Sequence, residues 1–361
     1  MKACLLLLAL LPACGRSPAG QVGLLLPLTG PLAERGHEMR TAFDLALAEL
    51  PADRRPGVLE ADSCGSARRT TMAYGELAAL GASVVLGPLT TDEVEAATLV
   101  ARAVRVPCVG PAATGTHAPD GDPWAMRLCY SDDDAARALA GWARMTLHLE
   151  RAATVVDLRS SYSLNLARAF AREFSRLNGR IVGEVTYHSG TPQAASTLDA
   201  VVALEVELAL VAGYGADFVR MLDGAADPRL ASLVLLGGDG WASGGLHQAC
   251  SGRVRGAYHT RHYDPAADDP LVRDFQQRWL EATGQQPSDA AALTYDAARS
   301  VLRLFDEGAD GPALRDALLG LRDQPGVTGP LTLDPRGTAV RRPIYLEQVH
   351  EPSGPSIVAR L

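Results

Sequence analysis

Short apolar runs alternate with amphipathic segments along most of the chain. In the first half, the runs that predict strands are 21–28, 58–62, 83–88, 106–110 and 125–129. The second half repeats the rhythm with runs at 153–158, 180–187, 208–214, 232–239 and 256–263. Strands that alternate with helices form parallel sheets covered on both faces. The two sets of runs therefore predict two doubly wound α/β lobes.

The segments between these runs show helical periodicity. Segment 36–50 places its apolar residues on one face, and segment 166–177 does the same before it stops at Asn178-Gly179, a typical helix end. The C-terminal part predicts helices at 269–283, 288–307 and 311–321. It ends in a hairpin predicted around Pro335-Arg336-Gly337. The stretch HYDPAADDP (262–270) is predicted to be a strand that crosses between the lobes.

The first residues, MKACLLLLALLPAC, predict export from the cytoplasm. One positive charge precedes the apolar run 3–13, which is too short to span a bilayer. The ending LPAC resembles a bacterial lipobox, in which the cysteine, here Cys14, becomes the lipid-modified N-terminus. Residues 1–13 are therefore predicted to be a lipoprotein signal peptide, with an ordinary signal peptide cut near Ala13 or Ala19 as the alternative. The expected location is periplasmic or extracytoplasmic, lipid-anchored to a membrane of the cell envelope.

Export to an oxidising compartment raises the question of disulfides. Cys64, Cys108, Cys129 and Cys250 could form two bridges in three connectivities, or they could remain isolated buried thiols. The residues alone do not decide between these. Their spacing matches no zinc motif.

Composition and charge narrow the function. The chain has 361 residues, a length that suggests two domains. Of these residues 47% are hydrophobic, a value typical of a packed protein. Its net charge of −8 gives no electrostatic support for nucleic-acid binding. Lysine occurs only at Lys2, which excludes P-loop and Schiff-base lysines. No catalytic or metal motif is present, and the acidic run 131–134 predicts a helix start. We therefore expect no enzyme activity, no cofactor and no metal.

Polar and small residues follow several predicted strands, where doubly wound folds bind ligands. The first lobe offers Thr91, Ala112, Ala113 and Thr114, and the second offers Tyr162, Tyr214 and Asp239. Hydroxyls beside free N–H groups can hold a carboxylate. A carboxylate and two phenols can receive an ammonium group. The set suits a zwitterion, that is, an α-amino acid.

Three of these residues also have a simpler interpretation. Thr91 could be only a helix N-cap, and Thr90 with Glu93 forms a capping-box pattern. Tyr162 and Tyr214 could be surface turn residues.

The chain resembles the branched-chain amino acid receptors of ABC transporters, the leucine/isoleucine/valine type of periplasmic binding protein. The resemblance extends from about Gln21 to Val349. Ten fragments carry it by their order and spacing: GLLLPLTGPLAERG, ADSCGSARRT, VVLGPLT, VPCVGPAAT, RLCYSDDD, YSLNLARAF, LALVAGYGADF, LLGGDGWASGGL, LTYDAARSVLRL and GVTGPLTLDPRG.

This resemblance implies the type I periplasmic binding fold, with two lobes joined by three crossing segments. Lobe 1 would comprise 21–130 with 264–338, and lobe 2 would comprise 131–263 with 339–361. The implied function is a solute-binding lipoprotein that captures a branched-chain or related amino acid and delivers it to the permease subunits of an ABC transporter. The protein is expected to be a monomer.

The same resemblance implies roles for the site residues. In such receptors the position of Thr91 binds the α-carboxylate, those of Ala112 and Thr114 bind carboxylate and ammonium, and that of Asp239 pairs the ammonium. The positions of Tyr162 and Tyr214 line the second lobe.

The sequence departs from the pattern of these receptors at several positions. Arg35 stands where an aromatic residue is common, and it is either a solvated loop residue or a contact to an acidic or amide ligand side chain. Asp239 stands where the longer glutamate is common. Asp92 and Glu93 place negative charge beside the carboxylate site, which would disfavour an anion. Thr90 replaces a cysteine that in some relatives bridges to the position of Cys64, so that bridge is expected to be absent.

One alternative function uses the same fold. Some outer-membrane lipoproteins that regulate cell-wall synthases resemble the opening LLLPLTGPLAERG and would not need the zwitterion set. The protein would then be an interaction module, or else a ligand sensor, instead of a transport receptor. An extracellular hydrolase lacks support because the sequence shows no nucleophile–base motif.

Overall fold

The computed structural model describes residues 20–115, 124–242, 246–250, 252–349 and 355–361. The predicted lipidation site Cys14 and the predicted signal peptide lie outside these residues. Among the described residues, no helix is both long enough and apolar enough to cross a membrane.

The strands follow the predicted alternation, with boundaries that differ by a few residues. They are β1 (Gln21–Leu26), β2 (Gly57–Asp62), β3 (Ala82–Leu86), β4 (Cys108–Gly110), β5 (Ala125–Arg127), β6 (Arg151–Asp157), β7 (Arg180–Tyr187), β8 (Leu208–Ala212), β9 (Val234–Gly237), β10 (Gly256–Arg261), β11 (Thr332–Leu333), β12 (Ala339–Val340), β13 (Tyr345–Gln348) and β14 (Ser356–Arg360).

Helices occupy the segments between them. They are α1 (Ala33–Leu47), α2 (Ala67–Ala79), α3 (Thr91–Val104), α4 (Asp132–Gly141), α5 (Ser161–Arg176), α6 (Thr197–Val202), α7 (Gly215–Gly224), α8 (Leu246–Cys250), α9 (Pro270–Thr283), α10 (Asp289–Asp306) and α11 (Gly311–Leu319). Short 3₁₀ turns lie at Ala52–Arg54, Pro192–Ser196, Pro228–Ser232 and Asp239–Trp241, and a π turn at Trp142–Thr146 extends α4.

Two sheets have the same doubly wound strand order. The first is β2-β1-β3-β4-β5 and is parallel throughout. The second begins with the matching parallel order β7-β6-β8-β9-β10 and continues with the antiparallel strands β13 and β14. In each sheet the strand order reverses beside the first strand, β1 or β6. Ligands of open α/β sheets bind at the carboxyl ends of strands at this reversal.

Helices cover both faces of each sheet, as the apolar strands require. In β1, Leu24 packs on the face covered by α1 and α10, whereas Leu25 packs on the face covered by α2 and α3. The same alternation in β6 sends Val156 toward α5 and Val155 toward α6 and α7. Because both faces are buried, the inner strands such as β1 and β6 read as continuous apolar runs.

The chain crosses between the two sheets three times. The first crossing runs from β5 to α4, the second from β10 to α9, and the third from β12 to β13. The second crossing corrects one prediction: residues 262–269 form an irregular segment with a turn, not a strand, and Pro270 begins α9. Two prolines and three aspartates in the stretch 262–270 explain the difference, because proline lacks the N–H that a sheet ladder needs and aspartate favours turns.

Several local predictions are confirmed. The segment 161–176 is helical and Asn178 adopts a left-handed conformation with φ 61°, as the Asn-Gly end indicated. The predicted hairpin pairs β11 with β12 around Pro335-Arg336-Gly337. Ser131 caps α4 by accepting from the N–H of Asp134, as predicted for the acidic run.

The cysteine question has a clear outcome. Cys64 is exposed, Cys108, Cys129 and Cys250 are buried, and all four are free thiols. The expected absence of a bridge from Cys64 is confirmed. Burial raises the pKa of the Cys108 thiol to about 12, so this group stays protonated at neutral pH.

Candidate functional site

The carboxyl ends of the two sheets face each other across a cavity of about 420 Å³. All eight residues predicted to bind ligand line this cavity: Arg35, Thr91, Ala112, Ala113, Thr114, Tyr162, Tyr214 and Asp239. The structure therefore brings the predicted residues of both lobes together. Their role in binding remains a prediction.

The turn between β3 and α3 presents the helix start to the cavity. Gly87 makes this turn with φ +106°, and a Cβ there would lie 2.5 Å from the Leu26 side chain. Thr90 is the N-cap: its hydroxyl accepts from the N–H of Glu93, whose carboxylate accepts from the Thr90 N–H in return. The N–H groups of Thr91 and Asp92 have no acceptor within the helix.

The interpretation of Thr91 as only an N-cap is wrong. Thr90 caps the helix, and Thr91 is its first residue. The Thr91 hydroxyl is buried and accepts a hydrogen bond from the Gly115 N–H at 3.2 Å. This bond fixes Thr91 against the loop that carries Ala112 to Thr114.

The loop after β4 forms the neighbouring wall of the first lobe. Ala113 and Thr114 are buried and Ala112 is half-buried. The Thr114 carbonyl accepts from the Asp132 N–H and from the Arg127 guanidinium, both at 3.0 Å. These bonds hold the loop rigidly between β4 and the start of α4.

The two acidic residues beside this helix start are both engaged. Glu93 belongs to the capping box, and Asp92 accepts from the Ser161 N–H at 3.0 Å. Ser161 is the first residue of α5, which packs against the second sheet, so this bond joins the two sides of the cavity. A carboxylate is well placed at a helix start because the first N–H groups and the helix dipole favour negative charge.

Tyr162 and Asp239 form one unit on the second side of the cavity. The Tyr162 hydroxyl donates to Asp239 Oδ1 at 3.2 Å and accepts from the Gly240 N–H at 3.1 Å. The approach is close enough that a Cβ at Gly238 would lie 2.3 Å from the Tyr162 oxygen. Tyr162 is 3% exposed, which excludes the surface-turn interpretation for this residue.

Tyr214 lies beside Tyr162 at the start of α7. The two ring centroids are 5.5 Å apart at an angle of 33°, and Tyr214 is half-buried. Burial, followed by the charge of Asp239 at Tyr162 and those of Asp92 and Asp239 at Tyr214, raises the pKa of both phenols far above the usual value. Both therefore remain neutral hydroxyls.

His262 is a cavity residue that the sequence did not single out. It is 3% exposed, stacks on Tyr130 with ring centroids 3.7 Å apart, and places Nε2 3.4 Å from Asp239 Oδ2. Within the described residues, this Nε2 has no hydrogen-bond partner. The sequence predicted a strand over 256–263 and so placed His262 inside it. The strand ends at Arg261, which makes His262 another residue at a strand end.

A second acidic group lies near Asp239. Burial, reinforced by the charge of Asp239, raises the pKa of Asp132 to about 8, although Thr114 and Arg127 oppose the rise. Asp132 is therefore mostly protonated at neutral pH.

No group of histidine, cysteine or acidic side chains suited to a metal ion occurs in the described part of the chain.

Arg35 lies in the first turn of α1 and lines the cavity. Its Nη1 donates to Glu38 Oε2 and its Nη2 donates to the Ala242 carbonyl, each at 2.7 Å. Ala242 follows the 3₁₀ turn that carries Asp239, so Arg35 also joins the two sides of the cavity. The alternative of a solvated loop arginine is wrong.

Comparisons with known proteins place the chain among solute receptors. A family model described as periplasmic binding protein matches residues 20–354. The chain is 26% identical over 339 residues to a Leu/Ile/Val-binding protein of Rhizobium johnstonii, covering 88% of each chain.

Solved structures show the same fold. A leucine-binding protein of Thermotoga maritima superposes with a TM-score of 0.86 at 22% identity, covering 95% of this chain and 98% of that one. A solute-binding protein of an ABC transporter from Rhodopseudomonas palustris, in complex with 3,4-dihydroxybenzoic acid, superposes with a TM-score of 0.82 at 20% identity, covering 95% and 97%. The type I fold expected from the sequence is confirmed.

Proposed function

The chain belongs to the periplasmic binding protein family, and from this membership we propose that it captures an α-amino acid between its two lobes and delivers it to an ABC transporter. The family's members bind solutes and act outside the cytoplasm. We assign residues 21–130 with 264–338 to lobe 1 and residues 131–263 with 339–361 to lobe 2.

The division of polar groups across the cavity carries the proposal. Thr91 and the start of α3 offer a hydroxyl and N–H groups to a carboxylate on one side. Asp239 offers a carboxylate to an ammonium group on the other, supported by the Tyr162 hydroxyl. A zwitterion satisfies both sides at once. An aromatic acid, such as the one bound by the Rhodopseudomonas neighbour, would place no positive charge against Asp239.

The test is ligand-induced stabilisation together with closure. Arg35 and Asp92 each form a hydrogen bond across the cavity, so the two lobes are closed on each other in this structure. A ligand held by both lobes should favour this closed arrangement and shift the population toward it. In a thermal-shift screen of the standard amino acids, at least one should stabilise the protein. Binding at a ligand concentration of about 100 times Kd stabilises by about 2.7 kcal/mol. Small-angle scattering should then show a smaller radius of gyration.

A protein that shows neither a thermal shift nor compaction with any amino acid would contradict the transport function. The interaction-module alternative would then be favoured. An aromatic acid that stabilises the protein more than every amino acid would contradict the zwitterion assignment while leaving the receptor function intact.

The lipid anchor is a further part of the proposal. The LPAC motif at Cys14 supports it, and lipid chains would supply the membrane affinity. Cys14→Ser should therefore move the protein from the membrane fraction to the soluble fraction of the cell envelope, as followed by immunoblotting. The matched control is Cys64→Ser, which changes an exposed free thiol and should leave the protein in the membrane fraction. Membrane association of the Cys14→Ser variant would contradict the anchor.

A further inference from the structure

One part of the cavity wall remains for the side chain of the bound amino acid. In the proposed function, Thr91 and its neighbours take the carboxylate and Asp239 takes the ammonium. The remaining wall combines apolar side chains with a few polar ones. It includes Pro31, Leu32, Glu34, Arg35, Ser288 and Leu293.

The polar groups of this wall are tied together by Glu38. Glu38 Oε2 accepts from Arg35 Nη1 at 2.7 Å and from the Ser288 hydroxyl at 2.6 Å. Ser288 is itself held in place as the N-cap of α10, where its oxygen accepts from the Ala291 N–H. The Arg35 and Glu38 side chains are only 23% and 19% exposed. The pair therefore lies largely out of solvent. The bond to the Ala242 carbonyl holds Arg35 in place, and the bond from Ser288 holds Glu38 in place.

Glu38 offsets the charge of Arg35 without using up its donors. A guanidinium has five N–H groups, and among the described residues the bonds to Glu38 and Ala242 engage one on each terminal nitrogen. The wall thus retains hydrogen-bond donors but has little net positive charge. Glu34, which also lines the cavity, adds a further negative charge. A ligand carboxylate would gain from Arg35 but would be repelled by both glutamates.

We infer that the cavity selects an α-amino acid whose side chain ends in a neutral hydrogen-bonding group, most directly the carboxamide of glutamine or asparagine. The amide oxygen accepts from Arg35, and the amide N–H groups donate to the Glu34 carboxylate or to the Ser288 hydroxyl oxygen, both of which line the cavity. An aliphatic side chain would leave the Arg35 donors desolvated without an acceptor, which costs affinity. This inference rests on the proposed function and names the ligand class for the same cavity.

The first test compares ligands on the unmodified protein. Calorimetry with glutamine, asparagine, glutamate and leucine should give the tightest binding for a carboxamide, by about tenfold or more over glutamate and leucine. Tighter binding of leucine or glutamate would overturn the inference while the proposed function stands. Absence of binding by every amino acid would overturn the proposed function and this inference with it.

The second test changes the charge of the wall and keeps its shape. Glu38→Gln removes the negative partner of Arg35, so the affinity for glutamate relative to glutamine should rise about tenfold or more. The matched control is Glu76→Gln on α2, where Glu76 is exposed and pairs with Arg69 at 3.4 Å. The control should keep the ligand order of the unmodified protein. An unchanged glutamate-to-glutamine ratio in a folded Glu38→Gln variant would overturn the inference.

Discussion

Asp239→Asn is expected to remove most of the affinity for amino acids while the protein remains folded. Asparagine has nearly the same shape and can still accept from the Tyr162 hydroxyl, which lies 3.2 Å from Asp239 Oδ1. It cannot supply the charge that an ammonium group requires in a closed cavity. Removing one member of a desolvated charge pair costs about 2–5 kcal/mol, so affinity should fall roughly 30-fold or more. Calorimetry with the amino acid that gives the largest thermal shift measures this loss.

The control for this variant is Asp133→Asn. Asp133 is exposed on α4, pairs with Arg172 at 2.8 Å and does not line the cavity, so its loss should leave affinity unchanged. A ligand comparison sharpens the result. The unmodified protein should prefer the amino acid over the same acid without its amino group, and Asp239→Asn should lose that preference. Equal affinity of Asp239→Asn and the unmodified protein would contradict the assignment of Asp239 to the ammonium group.

Much of this site could be predicted from strand ends alone. Residues such as Thr91, Tyr214 and Asp239 lie at or shortly after the ends of predicted strands, and parallel strands bring their carboxyl ends to one edge. The apolar runs are clear because both sheet faces are buried. The grouping of these residues therefore follows from a local pattern and a general rule of topology, without knowledge of side-chain packing.

The parts that escaped prediction depend on contacts between distant segments. Arg35 meets Ala242, which lies 207 positions further along the chain, and Asp92 meets Ser161 69 positions away. No local pattern predicts that the Asp92 carboxylate, beside the proposed carboxylate site, accepts from the Ser161 N–H at the start of a helix on the other lobe. His262 was missed for a different reason: two residues with ring side chains, His262 and Tyr263, directly follow Arg261, so the strand end was placed two residues late.

A charged cluster beside the cavity joins a helix packed on the first sheet to a strand of the second sheet. Arg261 at the end of β10 donates to Asp289 Oδ1 and to Glu347 Oε1, each at 2.6 Å. Asp289 begins α10, which packs against the first sheet, whereas Glu347 lies in β13 of the second sheet. His259 Nε2 lies 2.9 Å from the other oxygen of Glu347. Arg261 therefore holds two carboxylates that belong to different lobes.

The protonation of this cluster follows from its burial and its charges. Burial alone would raise the pKa of Glu347, but the hydrogen bond to His259 and the charge of Arg261 lower it to about 2. Burial likewise opposes ionisation of Asp289, and Arg261 lowers the pKa of that carboxyl below its usual value. A depressed carboxyl pKa contributes stability above the unfolded-state pKa of about 4.3. This stability is lost as the pH falls toward about 2.

Arg261→Met is expected to lower the free energy of unfolding by about 3–5 kcal/mol near neutral pH, because it leaves Asp289 and Glu347 as buried charges without their common partner. Urea denaturation of the variant and the unmodified protein measures the difference. Arg273→Met serves as the control. Arg273 is 58% exposed and pairs with the exposed Asp268, so its loss should cost no more than about 1 kcal/mol.

The pH dependence separates the loss of charge pairing from a general packing defect. In the unmodified protein, acid protonates Glu347 and Asp289 and so removes the stabilisation that Arg261 provides. The difference in unfolding free energy between the unmodified protein and Arg261→Met should therefore shrink steadily as the pH falls from about 5 toward about 2. A packing defect would give a difference that does not change with pH. A pH-independent difference, or a variant as stable as the Arg273→Met control, would show that Arg261 does not join the lobes through its charge.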